Sequence, residues 1–488
     1  MPPTAGDIDF DVLVAGGGSG GFGAALAAAR LGARVLLVEA APSLGGTSVH
    51  SGVSVWEPGC GGTGIPLDLY ARLKKTPQSV GIYSFARHCC WPDEGFYPGA
   101  ELLLDRKATY SDTLCRYAAG PLEMTLAEHR PLIRRRWHGV PYEPAALAGA
   151  MRAMLDETGR VVVLTGTGVA GLCASEGRVN GVQLRGGERV TARTYIDATG
   201  DGVLAGMAGC ELLRGQDPRS RFGEPSAPET PTDRVNGVSL VFRAMPKAHP
   251  GVDAVPDDVP DECWSRSGFP VASVVEYPAG GLNVNMLPTM EGAEYLKMGP
   301  SAAYGECLPR VRAFWRHWQR GFPEWQQLQI AWIAPALGVR ETSRVWAEYM
   351  LTQLDLEAGL PGQEHPDIIA IADHSMDLHG AHAGSAQRRN IQTAYGVPFR
   401  CLIPRGTSNL LVACRAAGFS SLAASGCRLQ RTMMALGQAA GTAAALAAQT
   451  GMDARDVPAE TLRESLRRQG VQLQWPLTPE LQARVRAV

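Results

Sequence analysis

Six residues near the amino terminus, Gly16-Gly17-Gly18-Ser19-Gly20-Gly21, have the types and spacing to hold a pyrophosphate. Gly16, Gly18 and Gly21 satisfy G-x-G-x-x-G. In that pattern the first glycine turns the chain tightly, the second lets the backbone approach the phosphates, and the third lets a helix pack close to a strand. A helix that begins at Ser19 aims its first amides and the positive end of its dipole at the same phosphates, which adds Ser19 and Gly20 to the binding set. Glu39 follows Gly21 by eighteen residues. A carboxylate there accepts hydrogen bonds from ribose hydroxyls and disfavours a 2′-phosphate. A second match at Gly166, Gly168 and Gly171 runs into CASEGRVNGV, a hairpin-like segment with no helix to offer amides. It is read as glycines relieving a twisted β segment. His374, His379 and His382 lie near Asp373 and Asp377, but spacings of five and three lack a zinc-type ligand set, and no metal site is expected.

The elements around these residues decide how much the glycines mean. Residues 10–15 (FDVLVA) are an apolar run that ends at the glycine cluster, 22–31 (FGAALAAARL) are strong helix formers, and Gly32 stands where a helix ends. Residues 33–38 (ARVLLV) form a second strand that stops at Glu39, which completes a βαβ unit of a parallel sheet. Residues 81–139 lose that pattern. A helix is predicted over 143–158, with Pro144 in its first turn. From Arg160 to Asp197 short apolar runs and glycine turns predict a small antiparallel excursion and a return to a buried strand. Residues 216–265, rich in Pro, Asp and Ser, are expected to be a surface connection. Strands follow over 269–287, a helix over 301–318, a buried strand over 408–413, a long helix over 432–449 and an amphipathic helix over 458–469. Phe314, Trp315, Trp318 and Trp325 suit a core better than a substrate platform.

Composition excludes several classes. The 488 residues include 46 Lys plus Arg against 48 Asp plus Glu, a net charge of −2, which does not suit a nucleic-acid binder. With 45% hydrophobic and 19% charged residues the chain is a folded globular one. Eleven cysteines, an odd number with no Cys-x-x-Cys, read as reduced thiols of a cytoplasmic protein. The amino terminus has no signal-peptide pattern, and the apolar stretch Thr432–Gly451 is Ala-, Gly- and Thr-rich, so a membrane span is not expected.

Gly45-Gly46-Thr47 follows Glu39, and Ala198-Thr199-Gly200-Asp201 ends the strand YIDATGD. With these segments the chain resembles FAD-dependent oxidoreductases of the glutathione-reductase-like superfamily. LGVRETSRV (337–345), NLLVACRAAG (409–418) and GCRLQRTMMALGQAAGTAAAL (426–446) resemble the FAD-dependent oxidoreductase family distantly related to fumarate reductase and succinate dehydrogenase flavoproteins. The resemblance is weakest at 82–135 and 216–265. It implies that the glycine motif binds the ADP half of FAD, that Gly45, Gly46 and Thr47 lie near the flavin side, and that the Ala198–Asp201 segment packs on the cofactor. It also implies that Arg428 to Met434, with Met433 and Met434, meet the flavin pyrimidine ring. Val169 completes the cofactor set. Two positions depart from the family: Ala413-Cys414-Arg415 stands where Ala-Gly-Arg is usual, and Arg431 where a proline is common.

The expected fold is α/β: a Rossmann-like FAD-binding domain (8–80, 140–215 and 375–450) with a discontinuous inserted α+β substrate or cap domain (81–139 and 216–374) and a helical tail (451–488). The expected activity is two-electron oxidation of a small organic substrate by hydride transfer to flavin N5. Electrons then pass to oxygen, a quinone or a carrier protein. The alternatives are an NAD(P)H-dependent flavin monooxygenase and an FAD-stabilised binding or assembly protein. A homo-oligomer is compatible with either. No cysteine pair follows the glycine pair, which argues against a disulfide reductase. His50, four residues past the glycine pair, is the first candidate base or hydrogen-bond donor, and His379, after Asp377, the second. Arg340 and Arg344 would share a helix face, with Arg340 holding a substrate carboxylate and Arg344 more often part of a structural Arg–Glu network.

Overall fold

β1 (Phe10–Ala15) runs parallel to β2 (Val35–Glu39), with Val12 opposite Val35 and Ala15 opposite Val38. The helix α1 (Ser19–Arg30) connects them and is buried from Gly20 to Ala29. Strands Val161–Thr165, Ala192–Asp197 and Leu410–Val412 complete a five-stranded sheet in which every pairing is parallel. Such strands are covered on both faces, which is why VLVA and VLLV are unbroken apolar runs. This is the core of an α/β, Rossmann-like fold. The computed structural model describes residues 9–84, 89–90, 103–114, 137–257, 259, 271–380, 391 and 393–488.

The helix Gln430–Thr450 lies directly on α1. An added Cβ at Gly437 would sit 1.9 Å from the Gly20 carbonyl oxygen, and one at Gly441 2.0 Å from that of Ala24. The alanine and glycine content of both helices serves this backbone-to-backbone approach. Between the strands Val161–Thr165 and Ala192–Asp197, the strands Val169–Ser175, Arg178–Leu184 and Arg189–Val190 form a small antiparallel sheet.

A second sheet is antiparallel, in the order Leu328–Ile333, Phe242–Pro246, Leu282–Met286, Val271–Glu276, Cys89–Cys90. Its side chains alternate. Ala272, Val274, Val284 and Met286 join Phe314, Trp315, Trp318 and Trp325 in a core separate from that of the parallel sheet. The helix Pro300–Gly321 supplies three of those rings, and Trp315 packs edge-on to Phe242 at 5.6 Å between centroids.

Two stretches differ from expectation. Val238, Leu240, Phe242 and Ala244 are fully buried in the second core, so 216–265 is not a surface connection throughout. The short apolar run GVSLVFRA is masked in composition by the Pro, Asp and Ser around it. Ile369, Ala370 and Ala372, on a strand paired with Tyr395–Pro398, belong to the first core although they fall within 216–374. Val345 is in that first core too, so the change of core falls at the polar stretch Arg340–Ser343. Among the described residues no helix is long and apolar enough to cross a membrane.

Candidate active site

Three glycines of the turn are closed in by backbone and one opens outward. Gly16, at φ +99°, donates to the Val38 carbonyl (2.8 Å), and a Cβ there would lie 2.3 Å from the Ala198 oxygen. A Cβ on Gly20 would meet the Ala413 oxygen at 1.9 Å, and one on Gly21 the Gly16 oxygen at 1.7 Å. Gly18 differs: its Cβ would meet only the Cα of Gly46, at 3.8 Å. No side chain caps the first turn of α1, so its leading amides face the space beside Gly18. Glu39 is held at the edge of that space, accepting from the Gly17 amide (2.5 Å) and the Ala41 amide (2.7 Å). Its carboxylate oxygens keep further lone pairs for a ligand.

This opening is one end of a cavity of about 560 Å³. Of the expected cofactor residues, Gly16, Gly18, Ser19, Gly20, Glu39, Gly46, Thr47, Val169, Ala198, Thr199, Gly200, Arg428 and Met433 line it. Gly21, Gly45, Asp201 and Met434 do not. Gly21 is used in packing on Gly16. Gly45, at φ +113°, donates to the Gly17 carbonyl (2.8 Å) and shapes the entry to the short helix α2 (Thr47–His50). Asp201 accepts from Arg415 (2.6 Å) and Thr342 (2.7 Å). Met434 is buried against Gly23 of α1.

The other end of the cavity lies beneath the second sheet, whose Ser273, Val275, Asn283 and Asn285 face it. Arg340, Asp377, His379 and Arg428 line this end. The His379 backbone is pinned on both sides: its amide donates to Asn236 Oδ1 (2.8 Å) and its carbonyl accepts from Gly237 (2.7 Å). Its Nε2 lies 2.7 Å from Asp377 Oδ2. A carboxylate only accepts, so Nε2 carries the proton and Nδ1 keeps a lone pair. Burial lowers the His379 pKa to about 4, against the raising effect of Asp377, with Arg340 and Arg428 adding to the lowering. Arg340 donates from one nitrogen to the Gly237 carbonyl (2.7 Å) and Ser239 Oγ (3.0 Å). Burial first, then the neighbouring Arg428, lowers its pKa to about 9.

His50 is not on the cavity wall. Its Nε2 lies 2.9 Å from the Ser43 carbonyl, and its own carbonyl accepts from Ala336. Arg340 and Arg344 share no helix: Ser343–Val345 is a strand, and Arg344 is fully buried with its Nη1 2.7 Å from Asp217. His374 places Nδ1 2.7 Å from the Ser375 carbonyl and Nε2 3.5 Å from Glu57. His382 lies outside the described residues. Among the described residues no three His, Cys, Asp or Glu side chains gather as a metal site.

A family model described as FAD dependent oxidoreductase matches residues 11–466. The chain belongs to the FAD-dependent oxidoreductase family. Solved structures that resemble this flavoprotein do so distantly. A geranylgeranyl bacteriochlorophyll reductase-like protein from Thermoplasma acidophilum is 14% identical over 98% of this chain and 96% of that one, with a TM-score of 0.46. p-Nitrophenol 4-monooxygenase from Pseudomonas putida DLL-E4 is 11% identical over 98% and 92% (TM-score 0.41). L-Amino acid deaminase from Proteus myxofaciens is 12% identical over 93% of each chain (TM-score 0.41). No protein of curated function matches.

FAD is the cofactor, and the cavity fits it. Gly18 has room for a side chain that nothing in the protein fills, and uncapped amides and the Glu39 carboxylate surround that room. The two departures from the family have clear consequences. Arg431 reaches the Glu57 carbonyl, the Gly59 carbonyl (3.2 Å) and Thr113 (3.0 Å), tying the loop 57–59 to the start of the long helix. Cys414 is buried, and burial raises its thiol pKa to about 12, so it stays protonated. Asn283 and Asn285 are absent from the sequence-based set. The alternation in LNVNM signals a strand with one polar face.

Proposed function

We propose that this flavoprotein oxidises a small organic molecule at a C–OH, C–N or adjacent C–H centre, with His379 as the base. The observation that carries the proposal is an imidazole that keeps a lone pair on Nδ1, oriented by Asp377 and lining the same cavity as the glycine turn. A pKa lowered to about 4 keeps it unprotonated at neutral pH. Bound FAD supplies an acceptor for two electrons and one hydrogen of the substrate. His379 takes the remaining O–H or N–H proton and passes it to solvent. The cofactor would be held by Gly16, Gly18, Ser19, Gly20, Glu39, Gly46, Thr47, Val169, Ala198, Thr199, Gly200, Arg428 and Met433. The second sheet would roof the substrate, as an inserted cap over the FAD-binding part. A base that takes the substrate proton serves dehydrogenation more directly than hydroxylation. Electrons then leave to oxygen, a quinone or a carrier protein. A cytoplasmic location agrees with the free thiols among the described cysteines, most of them buried.

His379→Gln is expected to retain FAD and to slow anaerobic flavin reduction by substrate about 10²- to 10⁴-fold, the usual range for loss of a general base. His50→Ala is expected to leave the rate unchanged. A wild-type rate in His379→Gln would remove this histidine from the mechanism.

A further inference from the structure

The substrate end of the cavity contains a cation without an ion pair among the described residues and an acceptor with no donor. Both partners of Arg340, the Gly237 carbonyl and Ser239 Oγ, are neutral. Among the described residues no carboxylate forms an ion pair with it. Of the two carboxylates whose charge acts on it, Asp377 is shared between His379 (2.7 Å) and Arg428 (3.4 Å), and Glu57 lies 3.5 Å from His374 Nε2. On the facing sheet Asn285 Oδ1 is buried and accepts no hydrogen bond. Ser239 ties Arg340 to the strand that carries Asn285. It accepts from Arg340 and donates to the carbonyl of Met286 (2.5 Å), the residue after Asn285. Buried charges and buried acceptors are normally satisfied, so this corner is complementary to a ligand that brings one negative charge and one donor.

We propose that the substrate is a small monocarboxylate carrying a hydroxyl or amino group. Arg340 holds its carboxylate, and Asn285 Oδ1 accepts the O–H or N–H of the bound molecule until His379 takes that proton. A single unpaired guanidinium suits one negative charge better than the nearly two of a phosphate monoester. The assignment rests on the cavity being the substrate site and specifies the class of molecule that enters it. It also gives Arg340 a role in specificity distinct from the proton removal assigned to His379.

The test titrates the oxidised holoenzyme with glycolate, lactate and mandelate, with their uncharged amides, and with propionate, reading melting temperature and the flavin spectrum. Acids of the series are expected to bind and their amides not to. In Arg340→Gln the acid affinity should fall about 10- to 100-fold, with a partial return in Arg340→Lys. Asn285→Ala should weaken the hydroxy acids and leave propionate unaffected. Equal binding of acid and amide by the wild type, which needs no variant to fold, would overturn the proposal. So would unchanged acid affinity in Arg340→Gln, or binding by no acid of the series. Flavin reduced by a neutral substrate with no acid bound would end this assignment and spare the proposed oxidation. Acid binding without reduction by any substrate would do the reverse.

Discussion

Arg340 and Arg344 are four residues apart in sequence and sit in opposite surroundings. Arg344 is sealed against Asp217, whereas Arg340 lines the cavity without a carboxylate of its own. The strand Ser343–Val345 makes the difference, because it aims Arg344 away from the cavity. His379 illustrates what burial does to a titrating group. Its pKa falls from 6.5 to about 4, chiefly through desolvation. The unfolded chain therefore binds the proton first as pH falls. The stability that His379 contributes is complete above about pH 6.5 and is lost between there and about pH 4, amounting to about 3 kcal/mol at most. The melting temperature of the wild type should fall across this window, and His379→Gln should flatten part of that fall. An identical pH profile in the variant would contradict the assignment. The sequence names His379 as a candidate but not as the better one. Its orientation depends on Asn236, 143 residues away, and no local pattern encodes that contact. His50, by contrast, is close to the glycine pair in sequence while α2 turns it to Ser43.

At the scale of elements, glycines serve two purposes. Gly437 lets the long helix touch α1, and a Cβ there meets a backbone oxygen at 1.9 Å. Gly18 has extended backbone angles open to any residue (φ −74°, ψ −165°) and no protein atom within 3.8 Å of an added Cβ. Gly18→Ala should therefore fold with wild-type circular dichroism and lose FAD occupancy, whereas Gly437→Val should fail to yield soluble folded protein. Full FAD content in Gly18→Ala would remove the cofactor from that turn. The βαβ unit is legible because its parts are contiguous and each carries its own signal, from FDVLVA to Glu39. The second sheet is less legible. Its strand Phe242–Pro246 lies inside a Pro-, Asp- and Ser-rich segment and finds its partners 38 or more residues away.

At the scale of the molecule, two separately packed cores flank one cavity, with the glycine turn at one end and the Arg340–His379 corner at the other. The βαβ unit and the long helix packed on it follow from sequence patterning, whereas the strand Val161–Thr165, expected within the antiparallel excursion, pairs parallel to Val35–Glu39. The relation between the two ends does not follow from patterning, because residues 16–39, 273–285, 340 and 377–379 meet only through the packing of the cores. That shared cavity is the basis for the proposal that electrons enter from an organic acid. The most direct measurement is anaerobic stopped-flow mixing of the yellow holoenzyme with a series of 2-hydroxy and 2-amino carboxylates, and separately with NADH and NADPH, following the flavin band near 450 nm. Bleaching by a member of the carboxylate series, with the band persisting in either nicotinamide, is the expected result. Faster bleaching by NADH or NADPH than by any carboxylate, or a flavin that none of them reduces, would contradict it.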